Sequence, residues 1–304
     1  MTKRAPKPTT LPLGESGLTV SPLAWGMWRF KGDDVAAARG LVEAALEAGI
    51  SFFDTADIYG PGNGEAFGAA ETLLGRVLQD APHLRERFVL ATKGGIRPGV
   101  PYDSSEAYLT AALDASLKRM GVEQVELYQI HRPDVMTHPE ALARTLGRML
   151  AAGKIAEVGV SNFTTGQIAA LQAFLPFPIA STQIELSPLV IAPIEDGALD
   201  QAMASGMGVM AWSPLAQGRL GDAAAPDARV AAVRAALDAL GAAHGVSRTV
   251  AAYAWLMAHP SRPIPIVGSQ QPGRIAEAAK ALGVTVDRAG WYKVLVAARG
   301  APLP

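Results

Sequence analysis

Four ionisable residues of this 304-residue chain, Asp54, Tyr59, Lys93 and His131, could together run one proton transfer. A free phenol has a pKa near ~10 and is a poor acid at neutral pH. A nearby ammonium stabilises the phenolate, so Lys93 is expected to lower the Tyr59 pKa towards useful general-acid strength. Asp54 can pair with Lys93 and hold it, and the His131 imidazole can orient a carbonyl oxygen. Taken singly, each is an ordinary polar residue, a cap or a solvated side chain. Position sets them apart. Asp54 closes the apolar run Ile50-Ser51-Phe52-Phe53, and Tyr59 follows in the next loop. Lys93 closes Phe88-Val89-Leu90-Ala91-Thr92, and His131 closes Val125-Glu126-Leu127-Tyr128-Gln129-Ile130. Parallel strands closed into one barrel would bring all four to its C-terminal mouth.

The elements that must hold them recur along the chain as a short apolar strand, a polar or Gly-rich loop and an amphipathic helix. Strand ends fall near Gly26, Asp54, Lys93, His131, Val160, Gln183, Trp212 and Val267. Before them, Leu11-Pro12-Leu13-Gly14 and Gly17-Leu18-Thr19-Val20 read as a short hairpin. Asp33 or Asp34 can cap Val35–Ala48, Ser104 or Ser105 the helix ending at Met120, and Thr164 or Thr165 the helix Gln167–Phe174. His138-Pro139 opens Glu140–Ala152, with Pro suited to a first turn. A loop over Ser213–Asp227 precedes two helices, Ala228–His244 and Ser247–His259. Pro272-Gly273-Arg274 opens Ile275–Leu282, and Asp287–Arg299 is an added terminal helix. Eight alternations favour a single-domain (β/α)8 TIM barrel over residues 1–304, with an N-terminal β-hairpin and extra C-terminal helices. An open dinucleotide-binding sheet should carry G-x-G-x-x-G after its first strand, and the chain has no such string; Gly60-Pro61-Gly62-Asn63-Gly64 lacks the spacing. A G-x-x-x-x-G-K-[ST] phosphate loop is also missing, and Gly153-Lys154 ends a helix.

Composition excludes several classes. The chain is 49 % hydrophobic, with 27 basic and 28 acidic residues and a formal net charge of −1, so neither disorder nor a nucleic-acid or membrane-surface partner is expected. Cysteine is absent, which removes disulfides, thiolate chemistry and cysteine metal sites. Met1–Pro8 is basic but has no apolar segment behind it, and no run approaches about 18 apolar residues. The expectation is a cytoplasmic protein without a membrane span. The five histidines, His83, His131, His138, His244 and His259, show no H-E-x-x-H or H-x-H spacing, so no metal site is expected and a metal-dependent hydrolase is disfavoured. His131-Arg132-Pro133-Asp134 lacks the H-R-D string of a kinase loop.

At these residues the chain resembles the aldo-keto reductases. Asp54-Thr55-Ala56-Asp57-Ile58-Tyr59-Gly60 is similar to the family signature, with its Asp and Tyr separated by four residues. Ala91-Thr92-Lys93 and Gln129-Ile130-His131-Arg132-Pro133 match the remaining catalytic positions. Gly159-Val160-Ser161-Asn162-Phe163 resembles the cofactor turn after the fifth strand, and Trp212-Ser213-Pro214-Leu215 the loop after the seventh. The resemblance runs from about Leu11 to Arg299 and is closest to the bacterial oxidoreductase branch. It implies NAD(P)H-dependent reduction of a small aldehyde or ketone, with Asp54, Tyr59, Lys93 and His131 as the tetrad and Tyr59 as the acid.

By the same resemblance, Ser161, Asn162 and Gln183 would bind the nicotinamide carboxamide and Trp212 would stack on its ring. Gly26 and Met27 would lie beneath the ribose. Ser213, Leu215 and Gly218, with Gln217 and Arg219, would wrap the pyrophosphate. Ser269, Gln270, Arg274 and Glu277 would hold the adenosine end, where Arg274 can meet a 2′-phosphate. Two positions depart from the family pattern: Gly268 stands where many members have Lys, and Ala278 where Asn is common. The lost charge leaves NAD possible, but Arg274 keeps the reading on NADP. Of the aromatics Trp25, Trp28 and Phe30, Trp28 would line the substrate mouth. The chain ends at Pro304 soon after its last helix, which points to an open, tolerant pocket. A cofactor-binding regulatory subunit is the rival reading, opposed by the intact tetrad. The oligomeric state and the physiological carbonyl are left open.

Overall fold

The computed structural model describes residues 10–221 and 227–303. The basic stretch Met1–Pro8 and positions 222–226 of the expected loop lie outside them. Eight parallel strands close into a barrel in sequence order: β1 (Ala24–Gly26), β2 (Phe52–Asp54), β3 (Val89–Gly94), β4 (Val125–Ile130), β5 (Ile155–Ser161), β6 (Ser181–Glu185), β7 (Gly208–Trp212) and β8 (Ile264–Val267). Around them run α1 (Val35–Glu47), α2 (Ala69–Asp80), α3 (Glu106–Met120), α4 (Pro139–Ala151), α5 (Thr165–Gln172), α6 (Ala198–Ala204), α7 (Ala228–His244), α8 (Arg248–Met257), α9 (Pro272–Ala279) and α10 (Arg288–Arg299). This is a (β/α)8 TIM barrel in which α7 and α10, packed on each other outside the helix ring, are the additions.

Side-chain alternation along the strands sorts the chain into two buried layers. Trp25, Phe53, Leu90, Tyr128 and Ile130 face the helices, whereas Ala24, Phe52, Ala91, Leu127 and Met210 belong to a second cluster inside the barrel. Two residues along from Phe52, Ala91 and Leu127 come Asp54, Lys93 and Gln129. Register sets them side by side, with Asp54 opposite Ala91 and Lys93 opposite Gln129. A polar layer therefore sits on an apolar one. The N-terminal hairpin pairs Leu11 with Val20 and Pro12 with Thr19. It buries Leu13 and Val20 in the interior cluster and closes the end where the strands begin. Any side chain at Gly14 would run into the backbone of Gly206 and Gly208, so the hairpin tip lies directly against the start of β7.

The helix starts resolve the alternatives left by sequence. Asp34, Ser105 and Thr164 are the caps, accepting from the Ala37, Tyr108 and Gln167 amides, and Gln167 completes a capping box with Thr164. Three helices gave no warning: α2 and α6 begin at Gly68 and Gly197 without a side-chain cap, and a single turn over Ala192–Glu195 precedes α6. A two-stranded hairpin over Ile96–Arg97 and Val100–Tyr102 on the β3–α3 loop is likewise an addition to the expected elements. The helix expected over Ile275–Leu282 is α9 followed by a 3-10 turn at Lys280–Gly283. Stacked Trp255 and Trp291 rings, each donating its indole N–H to the other's carbonyl, fasten α10 onto α8.

Candidate active site

The tetrad assembles around the Lys93 ammonium, which is wholly buried. Its Nζ donates to Asp54 Oδ2 at 2.8 Å, to the Thr55 carbonyl at 2.8 Å and to the Tyr59 hydroxyl at 3.0 Å. Three donors meet three acceptors, so the cation is saturated and fixed. The other Asp54 oxygen accepts from Gln183 Nε2 at 2.9 Å and Gln129 Nε2 at 3.2 Å. Gln129, unremarked in the sequence, thus helps hold the carboxylate. Burial works against the Lys93 charge, but Asp54 and the Tyr59 oxygen outweigh it and keep the ammonium above the usual lysine range.

The Tyr59 phenol corrects the expectation of a lowered pKa. Burial raises it, Lys93 pulls it down by charge and hydrogen bond, and Asp54 and Asp57 push it up; the net direction is above the usual phenol value. Desolvation wins because Lys93 divides its charge between the phenol and a carboxylate. His131 stands edge-on to Tyr59 with ring centroids 6.0 Å apart. Burial, then Lys93 and Arg132, drive its pKa well below the ordinary histidine value, so the ring is neutral at physiological pH. Its Nδ1 is buried and has no hydrogen-bond partner among the described residues.

The expected cofactor positions form two groups. Ser161, Asn162, Gln183 and Trp212 adjoin the tetrad: Asn162 donates to Ser161 Oγ at 2.8 Å and accepts from the Trp212 indole at 3.0 Å, while its amide N–H reaches the Gln183 carbonyl. Gly26 and Met27 end β1, and a Cβ at Gly26 would come 2.6 Å from Ile266. Gln270 donates to the Gly26 carbonyl at 3.1 Å, and the Trp25 indole donates to that of Ser269. The β7 loop carries Ser213, Leu215, Gln217, Gly218 and Arg219; Ser213, Ala216 and Gln217 hold left-handed backbone, as does Asn162. Such conformations are costly for residues with a Cβ and cluster at ligand sites. Farther out, Arg274 lies exposed in the first turn of α9, and Glu277 accepts from Ser247 at 2.7 Å.

At the rim, Trp28 is 45 % exposed, with the Arg29 guanidinium 4.8 Å from its ring centroid. Asn63 donates to the Trp28 carbonyl and Glu65 accepts from the Gly32 amide, tying the β1 and β2 loops together. Arg29 Nη1 also lies 3.5 Å from where a Cβ of Gly268 would be. A guanidinium thus lies beside Gly268, a neighbour that only the folded loop reveals. No group of acidic and histidine side chains suited to a metal occurs among the described residues, and no helix there is long and apolar enough to cross a membrane.

Comparison with known proteins agrees with this architecture. The Aldo/keto reductase family model matches residues 22–293. The 6-dehydroglucose reductase of Novosphingobium aromaticivorans is 58 % identical, the match covering 96 % of each chain. The protein of the same name from Agrobacterium fabrum is 36 % identical over 93 % of this chain and 96 % of its own. A thermostable aldo-keto reductase, crystallised with the inhibitor epalrestat, superposes with a TM-score of 0.81 at 22 % identity, covering 95 % of this chain and 99 % of that one; at that identity it speaks for the fold alone. With the match spanning nearly every barrel strand and helix, the chain belongs to the Aldo/keto reductase family and is an oxidoreductase.

Proposed function

We propose that this enzyme reduces the aldehyde of an oxidised sugar with a nicotinamide cofactor, glucose bearing its aldehyde at C6 being the first substrate to test. The substrate class rests on the names of the 58 % and 36 % identical relatives. The observation that carries the chemistry is the Lys93 ammonium hydrogen-bonded at once to Asp54, Thr55 and Tyr59.

Tyr59 is the proposed general acid. A phenol above its usual pKa still donates to an oxygen that is becoming an alkoxide, because the alkoxide is a far stronger base. Lys93, held charged, then faces the phenolate left behind, a donor fixed before reaction. Neutral His131 orients the carbonyl oxygen, and Asp54 with Gln129 keeps Lys93 aimed. The exposed Trp28 indole offers a sugar ring a flat apolar face.

The residues present fit a dinucleotide. Gln270 Oε1 is buried without a hydrogen-bond partner among the described residues, beside the Gly26 carbonyl that Gln270 Nε2 engages. Trp212 supplies an aromatic plane, and Ser161, Asn162 and Gln183 supply amide and hydroxyl groups next to it. Ser213, Leu215, Gln217, Gly218 and Arg219 would take the pyrophosphate, and Ser269, Gln270, Arg274 and Glu277 the adenosine end. The bound nicotinamide would supply the hydride. Arg29 and Arg274 provide positive charge for a 2′-phosphate, which favours NADP over NAD. We read the barrel, hairpin and terminal helix as one domain, since Leu13 and the strands share one interior cluster.

The test is a steady-state assay of 6-dehydroglucose against simple aldehydes with NADPH and with NADH, beside fluorescence titration of both cofactors. Turnover of the sugar aldehyde with NADPH is expected. Tyr59→Phe should lower kcat by about 10²-fold or more while leaving NADPH affinity within about twofold. Parental turnover in that variant would remove Tyr59 from the acid role.

A further inference from the structure

Behind the barrel wall lies an ionisable group that this chemistry does not use. Asp57 is fully buried, and neither carboxyl oxygen has a hydrogen-bond partner among the described residues. The Tyr128 hydroxyl is buried and unpartnered in the same sense. Both border one backbone position: a Cβ at Gly94 would come 2.1 Å from the Tyr128 hydroxyl and 3.5 Å from Asp57 Oδ2. Tyr128 belongs to the cluster that faces the helices, so this buried chamber lies on the outer side of the strands.

Charged and titratable groups face Asp57 from each neighbouring element. Glu71 of α2 is buried and already bound by Arg119 of α3 at 2.7 Å and by the Thr92 hydroxyl at 2.5 Å. Tyr108 of α3 acts on the chamber from farther off, with its own hydroxyl given to the Ile96 carbonyl. Lys93 of β3 is committed to Asp54, Thr55 and Tyr59. Arg119, then the Ile58 amide and Lys93, favour an ionised Asp57, although the Ile58 amide lies outside hydrogen-bond geometry. Among the described residues no cation bonds to the carboxyl. A buried carboxylate without a partner is costly, and the group keeps its proton instead. Burial first and Glu71 second accordingly hold its pKa up at about 8.

What Asp57 touches joins it to the tetrad. Its amide donates to the Lys93 carbonyl at 3.1 Å, prolonging the β2–β3 pairing one step beyond the strand, and the Tyr59 amide closes the turn onto Ala56. The residue thus sits in the segment between Asp54, which holds Lys93, and Tyr59, to which Lys93 also donates. We propose that Asp57 is a positioning residue which, as the neutral acid packed over Gly94, props the Tyr59 turn against β3, and whose ionisation disables that turn. An ionised Asp57 would need solvent that the chamber excludes, pulling the turn off the strand, and its charge would make Tyr59 a weaker acid. This rests on the reading of Tyr59 as general acid.

The test combines a pH profile with infrared spectroscopy on the full chain. With saturating NADPH and 6-dehydroglucose, kcat of the parent should fall about tenfold between pH 7 and 9, with its midpoint near pH 8. In Asp57→Asn, kcat at pH 9 should stay within about twofold of that variant's own value at pH 7. Independently of turnover, the infrared difference between parent at pH 7 and at pH 9 should show a buried carboxylic-acid carbonyl band that the variant lacks. A parent spectrum without that band overturns the proposal even if the variant does not fold, and so does a variant that keeps the parental alkaline fall. Absence of turnover with any carbonyl would sink the functional reading and leave the infrared result standing.

Discussion

The Lys93–Asp54 pair separates what spacing reveals from what depth decides. The residue types and their places at strand ends were legible in sequence, and the structure brings all four together. The direction of the Tyr59 pKa was not, because desolvation depends on how much protein lies over a group. Gln129 was missed for a related reason: an amide next to an apolar run reads as an ordinary strand residue until register sets it beside Lys93. With both members of the ion pair buried, Lys93→Met should abolish measurable turnover and destabilise the fold by about 3–5 kcal/mol, since Asp54 is left charged and unmatched. Adding Asp54→Asn should recover most of that stability and none of the activity. Denaturant titration of the two variants checks the pattern, and equal loss in both would show that the pair is not what couples these residues.

Strand ends could be placed within a residue or two because buried parallel strands read as unbroken apolar runs that stop at a polar side chain. Helices were found where Ser, Thr, Asp or His, or for α9 the first-turn Pro272, announced them, and α2 and α6 were overlooked because Gly68 and Gly197 stand in the capping position. The exposed hairpin over Ile96–Tyr102 buries too little to leave a pattern. Contact between β3 and β4 depends on Gly94, which leaves the Tyr128 hydroxyl room. Gly94→Ala should therefore cost about 1–3 kcal/mol as an overpacked site. Tyr128→Phe in that background should restore at least half of the loss. The two changes measured as a cycle test this, and strictly additive effects would show that the hydroxyl is not the obstacle.

For the molecule as a whole, the buried Asp57 tilts the pH dependence of folding. Its pKa is near 8 when folded and 3.8 in its ordinary state, so the folded chain binds the proton more tightly. The stability this gives is full below about pH 4, drains away as pH rises towards 8 and then levels off. Relative to the parent, Asp57→Asn should gain up to about 1.4 kcal/mol for each pH unit across that window. Unfolding midpoints of the two proteins at pH 4, 6 and 8 check the sign, and a gap that stays constant would place an ionised Asp57 in the folded state.

The hairpin at Leu11–Val20 has a practical corollary. It seals the floor of the barrel, and all the chemistry opens through the opposite face. A resin, a fusion partner or a scaffold joined directly at Leu11 would attach on that floor, leaving the face that carries Lys93 and Tyr59, where sugar and dinucleotide are proposed to enter, turned outward to the surrounding solution.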